Sequence, residues 1–122
     1  MGWPSSRGER PPAYIPIVTE KECVPDPKYD VGIAAQTIIL AAAERGLGGC
    51  MLGSIHQDQP SMVLDLPDKY EIQLVIAVGH PAESIVLEPL TRDSDIRYWR
   101  DEQGMHHVPK RSLGGKVLTT SK

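Results

Sequence analysis

Phenylalanine is missing from all 122 residues, and two Trp and four Tyr are the only aromatics. The core must therefore be aliphatic, assembled from Ile, Leu, Val and Ala, and it will be thin. Long apolar runs are missing as well. No stretch approaches the ~20 residues that span a bilayer, and the opening MGWPSSRGERPP lacks the apolar segment of a signal peptide. The chain reads as soluble and cytoplasmic, with no membrane partner. Basic charge is not in excess: thirteen Lys and Arg stand against sixteen Asp and Glu, a formal charge of −3. No stripe of cations offers itself to a phosphate backbone, so nucleic acid is not an expected partner. Cysteine is scarce. Cys23 and Cys50 form no C-x-x-C and have no histidine at zinc-finger spacing, so they read as reduced thiols and no metal site is expected. The length excludes a two-domain enzyme.

What is present is a set of short, separable signals. Residues 1–12 are Pro, Gly, Ser and charge, which bury too little apolar surface to offset ordering entropy, and they are expected to form a flexible arm. AYIPIVT at 13–19 reads as a strand, with Pro16 placing it near an edge. A charged, proline-punctuated loop follows over 20–28. The strongest signal is 29–45, YDVGIAAQTIILAAAER: a helix, stopped by Gly46 in a left-handed conformation with Leu47 folding back on the last turn. Between Val31 and Ala43 only Gln36 and Thr37 are polar, so this helix has no broad solvated face. It is expected to be buried nearly all round, a sheet covering one side and another subunit or absent sequence the other.

Downstream, 49–52 is a short apolar run and 59–64 a candidate second helix. EIQLVIAV at 71–78 is apolar almost throughout, which predicts a strand buried on both faces at the centre of a sheet and ended by 79–81. Residues 96–100 and 105–108 flank DEQG, which is hairpin chemistry. Residues 114–122 read as a flexible tail, leaving 13–113 as the folded part.

Four glycines crowd GLGGCMLGS. They follow a helix rather than a strand, which excludes a dinucleotide fingerprint, and the P-loop-like spacing from Gly48 to Ser54 lacks its lysine. Two readings remain: a helix cap with a tight turn, or a backbone platform against a flat ligand. His106 and His107 are adjacent, so on a strand they point to opposite faces and cannot share a metal. His56 and His80 receive no role. Lys110 and Arg111, after Pro109, are either surface charges or an anion-capturing pair. Nothing in the sequence suggests a catalytic triad, and no catalytic residue is assigned.

Taken in order, PPAYIPIVTEK, DVGIAAQTIILAAAERGLGGCMLGSI, LDLPDKYEIQLVIAVGHPAE and DIRYWRDEQGMHHVPKRSL resemble the C-terminal part of nitroreductase-family flavoproteins, from Pro11 to Leu113. The resemblance implies an α+β fold: a partial domain with a central antiparallel sheet and one long buried interface helix, in subunits that interlock as homodimers. It implies FMN at the subunit interface, reduced by NAD(P)H and reoxidised by a nitro compound, quinone or similar acceptor. By resemblance Met51, Leu52 and Gly53 lie along the flavin ring, and Lys110 and Arg111 face the FMN phosphate. The family's opening helices, with an Arg-Ser-type stretch that helps hold the phosphate, have no counterpart, so the chain is expected to begin partway into the domain. The apolar ending with which relatives clasp their partner is also lost. The alternative, from a different class, is a flavin-free dimeric remnant with a structural or binding role.

Overall fold

The computed structural model of the chain describes residues 10–23, 25–53, 64–91 and 95–117. Residues 1–9 of the proposed arm (1–12), 59–63 of the candidate helix (59–64) and 118–122 of the proposed tail (114–122) lie outside the described residues. The chain divides into two compact units, Met1–Pro81 and Ala82–Lys122. No shift in composition marks that boundary.

The first unit is a three-stranded antiparallel sheet with one helix on it. Its elements are β1 (Ala13–Glu20), α1 (Lys28–Glu44), β2 (Gly48–Leu52) and β3 (Tyr70–Gly79), and the strand order is β1-β3-β2. β3 is central, as its unbroken apolar run predicts. Ile72 and Ile76 are fully buried, and Val75, Ala77 and Val78 nearly so. β1 is an edge strand, where Pro16 removes no ladder bond that a neighbour on its far side would need. Its register against β3 slips between Ile17 and Val18, which pair with Leu74 and Ile72. Gln73 is the residue passed over, and its side chain donates to Thr19 Oγ1 and Glu71 Oε2, both at 3.0 Å.

α1 seats one face on this sheet. Ala35 and Ala42, two turns apart, are buried against Ile76 and Val78, with Ile17, Ile38, Ile39, Leu47 and Leu74 packed around them. Two small side chains bring the helix axis close to the strands, and the flanking isoleucines fill the space to either side. The helix stops as its sequence dictates. Gly46 takes φ +71°, its N–H donates to Ala43 O at 3.0 Å, and the Leu47 N–H donates to Ala42 O at 2.9 Å. That is the two-bond Schellman arrangement, and it turns the chain straight into β2.

The sheet covers one side of α1 as expected, and no other described element covers the second: Tyr29, Ile33 and Leu40 on its outer face are 83%, 68% and 60% exposed. One expectation is corrected here: the glycine-rich segment is more than a cap and turn. Gly48–Leu52 pairs with β3 from Gly79 to Val75 as the second edge strand. Gly49 belongs there for a packing reason, since a Cβ at that position would lie 3.0 Å from Ile39 Cγ1.

The second unit comprises β4 (Ile85–Pro89), β5 (Trp99–Arg100) and β6 (His106–Lys110), in the order β4-β6-β5. β5 and β6 form the expected hairpin, though β5 is only two residues long and β6 runs on through Pro109 to Lys110. β4 pairs with β6 in parallel, a strand that the sequence reading does not anticipate. Among the described residues every buried one lies in the first unit, and from Ala82 onward none is buried.

These packing details separate three glycines. Gly46→Ala should lower stability by about 1 kcal/mol through its left-handed φ, and Gly49→Val by ~1–3 kcal/mol through overpacking against Ile39. Gly53→Ala should be silent, since among the described residues nothing lies within 4 Å of a Cβ there. Urea unfolding of the three variants measures this, and a loss at Gly53 equal to that at Gly49 would contradict the packing account.

Candidate functional site

The sequence singles out two groups of residues, and they fall in different units. Met51 and Leu52 end β2 and Gly53 follows immediately. β2 is an edge strand, so the outer row of its N–H and C=O groups has no ladder partner among the described residues. Met51 is exposed, Leu52 half-buried opposite Val75, and Gly53 has open space where a side chain would be. The segment is therefore a stretch of reachable backbone on a rigid strand, which suits a flat ligand that hydrogen-bonds through its edge.

Lys110 is the last residue of β6 and Arg111 follows it, both exposed. Neither has an ion-pair partner among the described residues, whereas Lys28, Arg45, Lys69, Arg97 and Arg100 all do. Two adjacent uncompensated cations on a strand end can accept a dianion.

β6 also carries a network that the sequence reading leaves unassigned. Its two histidines point to opposite sides and take different partners. His106 Nδ1 lies 2.9 Å from Glu83 Oε2, and the other Glu83 oxygen accepts from Arg100, the register partner of His106 on β5. Tyr98 meets the His106 ring edge-on at 5.0 Å, and His106 Nε2 is buried with no partner among the described residues. On the other side His107 lies between two carboxylates, with Nδ1 2.8 Å from Glu88 Oε1 and Nε2 3.1 Å from Asp101 Oδ2. Its register partner Trp99 stacks on it, the rings 4.8 Å apart and 8° from parallel. Asp101 is itself held in the hairpin turn, where Oδ1 accepts from the N–H groups of Gln103 and Met105 at 2.9 and 2.8 Å.

The profile of the Nitroreductase family matches residues 18–80, just over half of the chain. The chain belongs to the nitroreductase family. It is 42% identical over 55 residues to the FMN reductase (NADPH) of Bacillus subtilis (strain 168), a match covering 43% of this chain and 22% of that protein. To the NADPH-flavin oxidoreductase of Vibrio harveyi it is 34% identical over 62 residues, covering 49% of this chain and 26% of the relative. The matched stretch thus spans about a quarter of these curated relatives. The match takes in α1, β2 and β3 whole. No helix among the described residues is long and apolar enough to cross a membrane. His56 lies outside the described residues, and His80 is exposed just after β3.

Glu83, Glu88, Trp99 and Asp101 are the residues that the sequence reading misses. Asp101 had a local signal, an Asp opening a Gly-containing turn. Glu88 had none, because its approach to His107 depends on the parallel pairing of β4 with β6.

The network sets a pH dependence. Hydrogen bonds from His107, then from the Met105 amide, hold the Asp101 carboxyl below its ordinary value, and His106 followed by Arg100 does the same for Glu83. Asp101 and then Glu88 raise the His107 pKa above its ordinary value. A histidine raised on folding contributes stability that is complete below its unfolded pKa, about 6.5, and is lost as pH rises through the folded value. The depressed carboxylates contribute above their unfolded values and lose that contribution as pH falls through the folded ones. Hydrogen-exchange protection of the β6 amides should therefore fall as pH is raised past about 6.5, and His107→Gln should abolish that slope. Parallel slopes in parent and variant would contradict the assignment.

Proposed function

We propose that the chain supplies part of an FMN-dependent oxidoreductase that takes electrons from NAD(P)H and passes them to a nitro compound, a quinone or a similar acceptor, working as a homodimer. The observation that carries this reading is the family match over residues 18–80. Both relatives described above bear the names of flavin-dependent NADPH enzymes.

The residues present fit the cofactor. FMN combines a flat ring with a dianionic phosphate, and when bound it supplies the hydride-accepting and electron-donating chemistry. The outer backbone of Met51, Leu52 and Gly53 would hold the ring, with no side chain at Gly53 to keep it away. Lys110 and Arg111 would offset the phosphate through charge-assisted hydrogen bonds. The homodimer is supported by the outer face of α1, where Tyr29, Ile33 and Leu40 stand exposed at helical spacing around Gln36, a largely apolar row that a second copy would cover.

Titration of the full chain with FMN and with riboflavin, followed by flavin fluorescence, tests the cofactor assignment. Neutralising both Lys110 and Arg111 to Gln should weaken FMN roughly tenfold or more per lost contact and leave riboflavin unchanged. Gly53→Val should weaken both flavins alike. Equal losses for the two flavins in the double variant would return the cations to plain surface charge. Failure of the parent to bind either flavin would favour a flavin-free structural role.

A further inference from the structure

We propose that His107 is a positioning residue for the anion-facing end of β6: as an imidazolium it ties β6 to β4 and to the β5–β6 turn at once, and so holds Lys110 and Arg111 in place. The inference rests on the reading of Lys110 and Arg111 as phosphate ligands.

Geometry requires the doubly protonated ring. Both ring nitrogens face carboxylate oxygens, at 2.8 and 3.1 Å. A neutral imidazole has one N–H and would set a lone pair against one of the two carboxylates; only the imidazolium donates to both. The charged groups facing His107 are Glu88 from β4 and Asp101 from the turn, while β5 contributes the uncharged Trp99 face. Glu83, Arg100 and His106 form their own group on the other side of β6.

The tie matters because, among the described residues, β6 is paired on one side only where Lys110 sits: β5 pairs with His106 and His107 alone, and Val108–Lys110 has only β4. The last register pairs of β4 and β6 are Glu88 with Pro109 and Pro89 with Lys110, and both prolines face away from the pair. Beyond them the Leu90 N–H donates to Lys110 O at 2.9 Å. Packing does not compensate, since no described residue of this unit is buried. The side-chain bridge from His107 to Glu88 thus reinforces the single ladder that holds Lys110. When His107 loses its second proton the bridge opens, the strand end loosens and the two cations are no longer held together.

The direction of the resulting pH effect is diagnostic. The second ionisation of a phosphate monoester lies near 6 (about pKa 6), so the ligand's own chemistry tightens FMN binding as pH rises. Loss of the His107 bridge weakens it over the same range. FMN and riboflavin affinities of the full chain should be measured from pH 5.5 to 9 for the parent, His107→Gln and Glu88→Gln. In the parent the ratio of FMN to riboflavin affinity should fall about fivefold as His107 deprotonates, the equivalent of one lost hydrogen bond. In His107→Gln the ratio should be low at acidic pH and free of that fall. Glu88→Gln cuts only the β4 arm and should lower the ratio at acidic pH too, which keeps the test open if the histidine variant folds poorly. FMN binding by the parent with the same ratio and pH profile in both variants would overturn the positioning role and leave the cofactor reading standing. No binding of either flavin by the parent would overturn both.

Discussion

Seating α1 on β3 is the constraint on which the rest of the molecule depends. Ala35 and Ala42 bring the helix down onto Ile76 and Val78, and Gly49 lets β2 pass beneath Ile39. With no phenylalanine to fill a wider gap, close approach through small residues is the way this aliphatic core reaches interior packing density. The Gly46–Leu47 cap then sends the chain directly into β2, so that the segment offered to a flat ligand is the second edge of the same sheet. The fold and the backbone edge proposed to hold a ring thus have one origin. The same seating leaves Tyr29, Ile33 and Leu40 outside.

The two units are held together internally by different forces. Among the described residues every buried side chain lies before Ala82, and apolar burial, which varies little with pH, is the main force there, with an exposed Glu20–Lys69 ion pair beside it. Residues from Ala82 rely on short strands, a stacked Trp99–His107 pair and carboxylate–histidine contacts. Such contacts respond to proton concentration. The proposed ring contacts therefore sit on the unit with the apolar core and the proposed phosphate contacts on the one built on carboxylate–histidine contacts, which is why FMN and riboflavin separate the two contributions.

Legibility in the sequence followed the range of the interaction. β3, α1 and the Gly46 cap were readable because their signals are contained in consecutive residues. The hairpin was readable from DEQG for the same reason. β4 was not: its alternation of exposed Ile85 and Leu87 with half-buried Val86 and Glu88 is short, and its partner β6 lies beyond β5. The network around His107 was hidden with it. The need of α1 for cover was readable too, but an apolar helix face does not specify whether its own chain provides that cover. Met51, Leu52, Gly53, Lys110 and Arg111 stood out through family resemblance, and the structure adds the free edge of β2 and the uncompensated cations.

The central claim is that α1 is complete only when a second copy covers its outer face. The most direct measurement is the urea midpoint of the first unit's unfolding, followed by a probe on α1 over about a hundredfold range of protein concentration, because association with the folded state stabilises by mass action. The account predicts a midpoint that rises with concentration, and a rise that disappears when Leu40 is replaced by Asp. A midpoint independent of concentration in the parent would contradict it.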